Sequence, residues 1–259
     1  MSNAIRPACL LLHGFTGTPF EVAPLARALR ERGFAVETPL LPGHGTTLAE
    51  CDRATWADWS RSAREAFDRL AALGGPVFAA GLSMGGSLCL QLGRERSPAG
   101  IACLAAPLRL YRLMPFIAKD PRLPFVGLMR HVRPIWPVPP KTRESLAIAP
   151  WEGYEGGTPL NALHSLMHGL ADLRRNLGSV RVPLLVAQCP TDTTVNARDA
   201  FAIRRETSSA VKRLVWLPIE ERVTGHHLVT THCETRELVA GLVAGFFTEL
   251  LSDDGHAQS

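Results

Sequence analysis

The chain has no apolar run long enough to span a bilayer, no C-x-x-C pair, no H-E-x-x-H motif and no block of charge of one sign. A spanning helix needs about 20 mostly apolar residues, whereas the first apolar run, Cys9-Leu10-Leu11-Leu12, stops at His13-Gly14. That run is also too short for the apolar centre of a signal peptide, so no stable membrane insertion and a cytoplasmic location are expected. Six cysteines are present, Cys9, Cys51, Cys89, Cys103, Cys189 and Cys233, most inside apolar segments. Without paired spacing they read as buried free thiols in a reducing compartment. Lys and Arg number 28 against 24 Asp and Glu, a net +4, and the basic residues fall in pairs such as Arg174-Arg175 rather than in a stripe. Solvated helix faces explain them, and no nucleic-acid partner is expected. His164 and His168 stand four apart on a helical pattern, but no third ligand accompanies them, so no metal is expected.

What is present begins with a composition 46% hydrophobic over 259 residues, enough for one large core or a core with an insertion. The run Pro76-Val77-Phe78-Ala79-Ala80 leads into Gly81-Leu82-Ser83-Met84-Gly85-Gly86, and Ser87 to Leu92 then takes helical spacing. The G-x-S-x-G pattern therefore sits on a strand-to-helix turn. A serine in that turn projects above a sheet, and side chains two residues to either side would collide, which is why glycine is needed there. Ser83 is the expected nucleophile. A Gly-rich structural turn is the alternative, and the partners below argue against it.

Apolar runs at 8–12, 34–38, 76–80, 101–105, 183–188 and 214–217 read as strands, separated by helical patterns. Thr55 with Asp58 resembles a capping box before one helix, and Thr158-Pro159 reads as the cap and first residue of another. Such alternation implies a mostly parallel, doubly wound α/β sheet covered on both faces, with reactive groups at the carboxyl ends of its strands. From Pro107 the pattern changes to closely spaced prolines among apolar residues, marking an insertion. The expected organisation is a core of 5–107 and 178–251, an insertion of 108–177 and a flexible tail of 252–259.

A serine hydroxyl needs a base, and the base a partner that fixes its tautomer. His226 in Thr224-Gly225-His226-His227, before the last helix, is the favoured base, with adjacent His227 its rival. Asp192, in the loop after the strand at 183–188, is the expected orienter. Asp199 competes, but it reads as the capping partner of Asn196 at a helix start. Oxyanion donors are expected from the backbone N–H groups of Met84, after the nucleophile, and Phe15, in the glycine loop after the first strand. His13 and His44 read as loop-fixing side chains.

Together, His13-Gly14-Phe15-Thr16-Gly17, Leu41-Pro42-Gly43-His44-Gly45, the Ser83 motif and Gly225-His226 resemble α/β-hydrolases, in particular the small-capped bacterial carboxylesterases and monoacylglycerol lipases. The resemblance implies an α/β-hydrolase fold with a small cap insertion, no cofactor, and hydrolysis of small ester substrates carrying short or medium acyl chains. It puts Ser83, Asp192 and His226 in the triad. Apolar insertion residues Met114, Phe116, Phe125, Met129, Ile135 and Trp136 are candidates for lining an acyl pocket. A thioesterase or carbon–carbon bond hydrolase would use the same triad, and a binding module that has lost catalysis is the non-enzymatic alternative.

Overall fold

The structure is a computed structural model that describes residues 6–112, 117–118 and 120–256. Its frame is a parallel sheet of six strands. In chain order these are β1 (Ala8–Leu12), β2 (Ala35–Glu37), β3 (Val77–Leu82), β4 (Gly100–Leu104) and, after the insertion, β9 (Leu184–Gln188) and β10 (Lys212–Trp216). They lie in the order β10-β9-β4-β3-β1-β2. The four central strands are buried along their whole length, so their sequences are nearly continuous apolar runs rather than alternating ones.

Alternation nevertheless decides where each side chain goes. Ala8, Leu10 and Leu12 feed one core with Val77, Ala79, Ile101, Cys103, Leu184 and Val186, while Cys9, Leu11, Phe78, Ala80, Ala102 and Leu185 feed the other. The first core is covered by α3 (Trp56–Ala71), which follows the one-turn α2 (Leu48–Cys51), and by α4 (Met84–Glu95), α7 (Leu160–Arg175) and α8 (Arg198–Glu206). The second is covered by α1 (Ala23–Glu31) and α9 (Arg236–His256). α9 docks through Val239, Val243, Phe246 and Phe247, and the Phe247 ring lies 4.7 Å from that of Phe78. Each such fully buried side chain contributes roughly 1.5–3 kcal/mol of transfer free energy.

Helix starts follow local chemistry. The capping box at Thr55 forms: Asp58 N–H donates to Thr55 Oγ1 and Thr55 N–H to Asp58 Oδ2. At 158–159 the local expectation is displaced, because Gly157–Pro159 forms strand β8 and α7 opens one residue later, at Leu160. Past Ser252, where a tail is expected, α9 continues to His256.

Between β4 and α7 the chain leaves the sheet. This segment contains hairpin β5 (Tyr111–Arg112) with β6 (Ile117–Ala118), α5 (Val126–Val132), β7 (Ile135–Pro137) paired antiparallel with β8, and the short α6 (Arg143–Ile148). It stands over the carboxyl ends of β1, β3 and β9. All six cysteines are free, and only Cys233 is exposed. Among the described residues no helix is long and apolar enough to cross a membrane.

Candidate active site

Ser83 stands at the junction of β3 and α4 with φ 54° and ψ −120°, a backbone conformation that costs a non-glycine residue of order 1–3 kcal/mol. The turn is tight enough to dictate its neighbours. A Cβ on Gly81 would lie 2.3 Å from the Gly85 carbonyl carbon, and one on Gly85 only 2.1 Å from the Leu12 carbonyl oxygen. Both glycines are thus sterically required. Ser83 N–H donates to Leu104 O at 2.8 Å, which hangs the turn on the neighbouring strand.

Above the turn lies a cavity of about 500 Å³ lined by Phe15, Glu21, Ser83, Leu110, Leu163 and His227 among others. Four non-glycine residues among those described have φ in the left-handed region, and three of them, Thr16, Ser83 and His226, line this cavity. Strain gathered around one cavity marks a functional site.

Asp192, in the loop after β9, is fully buried. Its Oδ1 accepts the N–H groups of Thr194 (2.7 Å) and Val195 (2.9 Å), and its Oδ2 accepts Gln188 Nε2 at 3.0 Å. The remaining partner of Oδ2 is His227, whose Nδ1 donates at 2.8 Å. This corrects the expected base: His227, not His226, meets Asp192. His226 Nε2 donates to the Glu221 carbonyl at 2.8 Å, and its Nδ1 lies 2.7 Å from Thr191 Oγ1, so both ring nitrogens are engaged away from Asp192. The cause is local geometry. Thr193 N–H donates to Gly225 O at 2.9 Å, pinning this loop to the Asp192 loop, and the positive φ of His226 turns the chain so that the next side chain faces the carboxylate.

Burial alone would depress the His227 imidazolium, but the Asp192 carboxylate, by charge and hydrogen bond, with help from Glu21, raises its pKa above the ordinary histidine value. With Nδ1–H held by Asp192, Nε2 is the nitrogen left to accept a proton. Glu221 fixes the loop from below. Its carboxylate receives Thr224 Oγ1 and N–H and His232 Nε2. Burial would raise the Glu221 pKa, yet these bonds and the Val223 N–H hold it at about 2.

The glycine loop after β1 is fixed by two histidines. His13 Nε2 accepts Leu41 N–H at 3.1 Å and its Nδ1 donates to Gly14 O at 2.9 Å, with burial pushing its pKa down to about 3. His44 Nε2 accepts Thr16 N–H at 3.1 Å. The N–H groups of Gly14, Thr16 and Gly17 are committed to Glu21 Oε2, His44 Nε2 and Gly14 O respectively. A Cβ on Gly14 would sit 3.4 Å from Ser83 Cβ, so this loop abuts the turn.

Other candidates separate. Asp199 does not cap α8; its Oδ2 accepts the N–H groups of Leu108 (2.9 Å) and Arg109 (3.2 Å), anchoring the start of the insertion, while Asn196 Oδ1 takes Arg198 N–H at 3.0 Å. Met114 and Phe116 lie outside the described residues. Met129 and Trp136 line a small annex of about 50 Å³ that shares Asp120, Leu123, Thr158 and Leu163 with the main cavity. Phe125 is corrected: it ends a single 3-10 turn on the outer surface, 61% exposed. Ile135 Cγ2 packs over Gly157 of the paired strand β8. Of the linings that sequence reading missed, Leu163 and Leu166 stand in the apolar stripe of α7, a pattern shared with any core helix, while Leu110 and Leu123 stand on irregular chain and a 3-10 turn that carry no periodic signal. His164 and His168 face each other with Nε2 atoms 3.2 Å apart, away from this cavity.

Residues 9–240 match the model of the alpha/beta hydrolase family. The chain belongs to that family. It is 32% identical over 244 residues to a carboxylesterase from Bacillus subtilis (strain 168), covering 94% of this chain and 93% of that one. To a thermostable monoacylglycerol lipase from Bacillus sp. (strain H-257) it is 31% identical over 222 residues, covering 80% and 79%. Among solved structures, one described with the metagenome-derived lipolytic enzymes LipS and LipT superposes with a TM-score of 0.81 at 28% identity, covering 94% of each chain. The monoglyceride lipase of Saccharomyces cerevisiae shares the fold, with a TM-score of 0.76 at 17% identity over 96% of this chain and 88% of that one.

Proposed function

We propose that this hydrolase cleaves carboxylic esters of short or medium acyl chains, monoacylglycerols among them, through an acyl-enzyme on Ser83. The observation that carries the reading is the His227–Asp192 hydrogen bond in the cavity that Ser83 enters. His227 Nε2 takes the Ser83 proton as Oγ attacks the ester carbonyl, and then delivers it to the departing alcohol. Water enters by the reverse path: His227 takes its proton, the hydroxide oxygen bonds the acyl carbon, and Ser83 Oγ leaves with that proton. At both steps negative charge develops on the carbonyl oxygen, for which the N–H groups of Met84 and Phe15 are the donors. The commitment of the three other glycine-loop amides to protein acceptors supports Phe15 in that role.

The carboxylesterase and monoacylglycerol lipase relatives support esters as the substrate class. The annex closed by Met129 and Trp136 is the proposed end of the acyl pocket, and its small volume favours short and medium chains. Initial rates on p-nitrophenyl esters from acetate to palmitate, with monoacylglycerols alongside, test the reading. A maximum at one chain length, lost in Ser83→Ala together with fluorophosphonate labelling, is expected. An inactive ester series with Ser83 still labelled would move the substrate to thioesters or carbon–carbon bonds, and absence of labelling would overturn the nucleophile.

A further inference from the structure

Glu21 is a carboxylate that the proposed reaction does not use, and it is almost fully buried within the catalytic cavity. It stands on the 3-10 turn Pro19–Val22, directly after the glycine loop, and its side chain folds back beneath that loop. Oε2 accepts Gly14 N–H at 2.6 Å and Oε1 accepts Trp151 Nε1–H at 2.8 Å. The fit is close: a Cβ on Gly17 would lie 2.3 Å from Oε1, so glycine there makes room for the carboxylate.

Trp151 belongs to the insertion, between α6 and β8, and it is one end of a strap laid on the glycine loop. Tyr154 N–H donates to Thr16 O at 3.0 Å, and Tyr154 Oη donates to Gly43 O at 2.6 Å. A Cβ on Gly153 would lie 2.3 Å from Thr16 O, so the strap and loop touch backbone to backbone. Glu21 therefore joins the loop carrying Phe15 to the strap over the cavity, within a cavity that His227 also lines.

We infer that Glu21 is a positioning residue, holding the oxyanion loop in register with the cap strap through Gly14 and Trp151 and placing a second carboxylate in the cavity that His227 lines. The inference rests on the serine-hydrolase reading above. Glu21 holds the Gly14 N–H, one peptide before the Gly14–Phe15 peptide that carries the Phe15 N–H and whose carbonyl is held by His13 Nδ1 and Gly17 N–H, so the carboxylate braces the Gly14 hinge from the side those two leave free. Its negative charge also favours the imidazolium that forms on His227 at each proton transfer. The charged groups around Glu21 are His227 from the loop before α9 and Lys141 from the insertion. Behind these stand Asp192 on His227 and Glu155 facing Lys141. Burial raises the Glu21 pKa to about 7 against the opposing pull of Gly14 N–H, His227, Trp151 and Lys141, so the carboxyl is about half ionised at neutral pH and fully charged above it.

Glu21→Gln tests this, because it keeps the volume and removes the charge and one acceptor. The expected result is a folded enzyme whose kcat falls roughly 10- to 100-fold with KM changed less than about threefold. Removing the charge also lowers the His227 pKa, so the acid limb of the kcat/KM profile should move to lower pH, which a purely structural role would not produce. Trp151→Phe removes only the bond between strap and carboxylate, leaving the carboxylate and the Tyr154 bonds in place, and KM should rise by about three- to tenfold. A folded Glu21→Gln enzyme with kcat within about twofold of wild type and an unmoved acid limb would overturn the inference. Should Glu21→Gln fail to fold, unchanged KM and kcat in Trp151→Phe would overturn it instead. Fluorophosphonate labelling of wild-type Ser83, absent in Ser83→Ala, keeps the hydrolase reading intact whichever way Glu21→Gln behaves.

Discussion

At the carboxyl edge of the sheet each backbone path is fixed several times over, whereas the segment above it is fixed at a few points. Ser83 is held by two glycines that admit no Cβ and by a bond to β4, and Asp192 by four hydrogen bonds. In the insertion, α5 is one short helix carrying Leu128 and Val132 at 68% and 75% exposure, and the segment is tied to the core at separate points: Asp199 at its start, Cys233 N–H on Ile148 O, and the Trp151–Tyr154 strap. Reaction chemistry needs atoms held to within fractions of an ångström, while acyl selection needs only a shaped apolar wall. The rigid edge is therefore where substitution should cost fold and rate together, and the insertion where it should retune preference.

The largest effect is expected at the turn itself. Gly85→Ala drives a methyl into the Leu12 carbonyl and should destabilise the protein by about 3 kcal/mol or more, read as a fall in the urea midpoint or as loss of soluble protein. A Gly85→Ala enzyme with unchanged midpoint would show that the edge yields more than its geometry implies. A smaller effect is expected in the annex. Trp136→Ala opens the end of the proposed acyl pocket and should shift the preferred p-nitrophenyl ester to longer chains by about tenfold in relative kcat/KM, for a stability change near 1 kcal/mol. An unshifted chain-length profile would place acyl selection elsewhere in the cavity.

The same contrast explains what could be read from sequence. The Ser83 turn was legible because sterics leave glycine little alternative within two residues of a serine in that turn, and Asp192 because a loop after a buried strand points at the sheet's carboxyl edge. The two cores were legible from the apolar runs. Which of two adjacent histidines meets Asp192 was not, because that parity depends on the Glu221 carbonyl, Thr191 and the pinning of Gly225 by Thr193, none of which leaves a periodic signal. Asp199 misled for a similar reason: three residues after Asn196 it fits a helix cap, but its partners are the amides of Leu108 and Arg109, some 90 residues away in the chain. Phe125 belongs to the loosely held region, where an apolar side chain has no obligation to face inward. Glu21 lay hidden on the short turn Pro19-Phe20-Glu21-Val22, since nothing local announces that a carboxylate will fold under a glycine loop.

The most direct test of the catalytic assignment sets the two neighbours side by side, measuring kcat/KM on one p-nitrophenyl ester for His226→Ala and His227→Ala. Loss of the base should lower the His227→Ala value by about 10⁴-fold or more with the fold retained, whereas His226→Ala, which loosens the loop, should lose less than about tenfold. The reverse order, with His226→Ala inactive and His227→Ala close to wild type, would contradict the Ser83–His227–Asp192 triad.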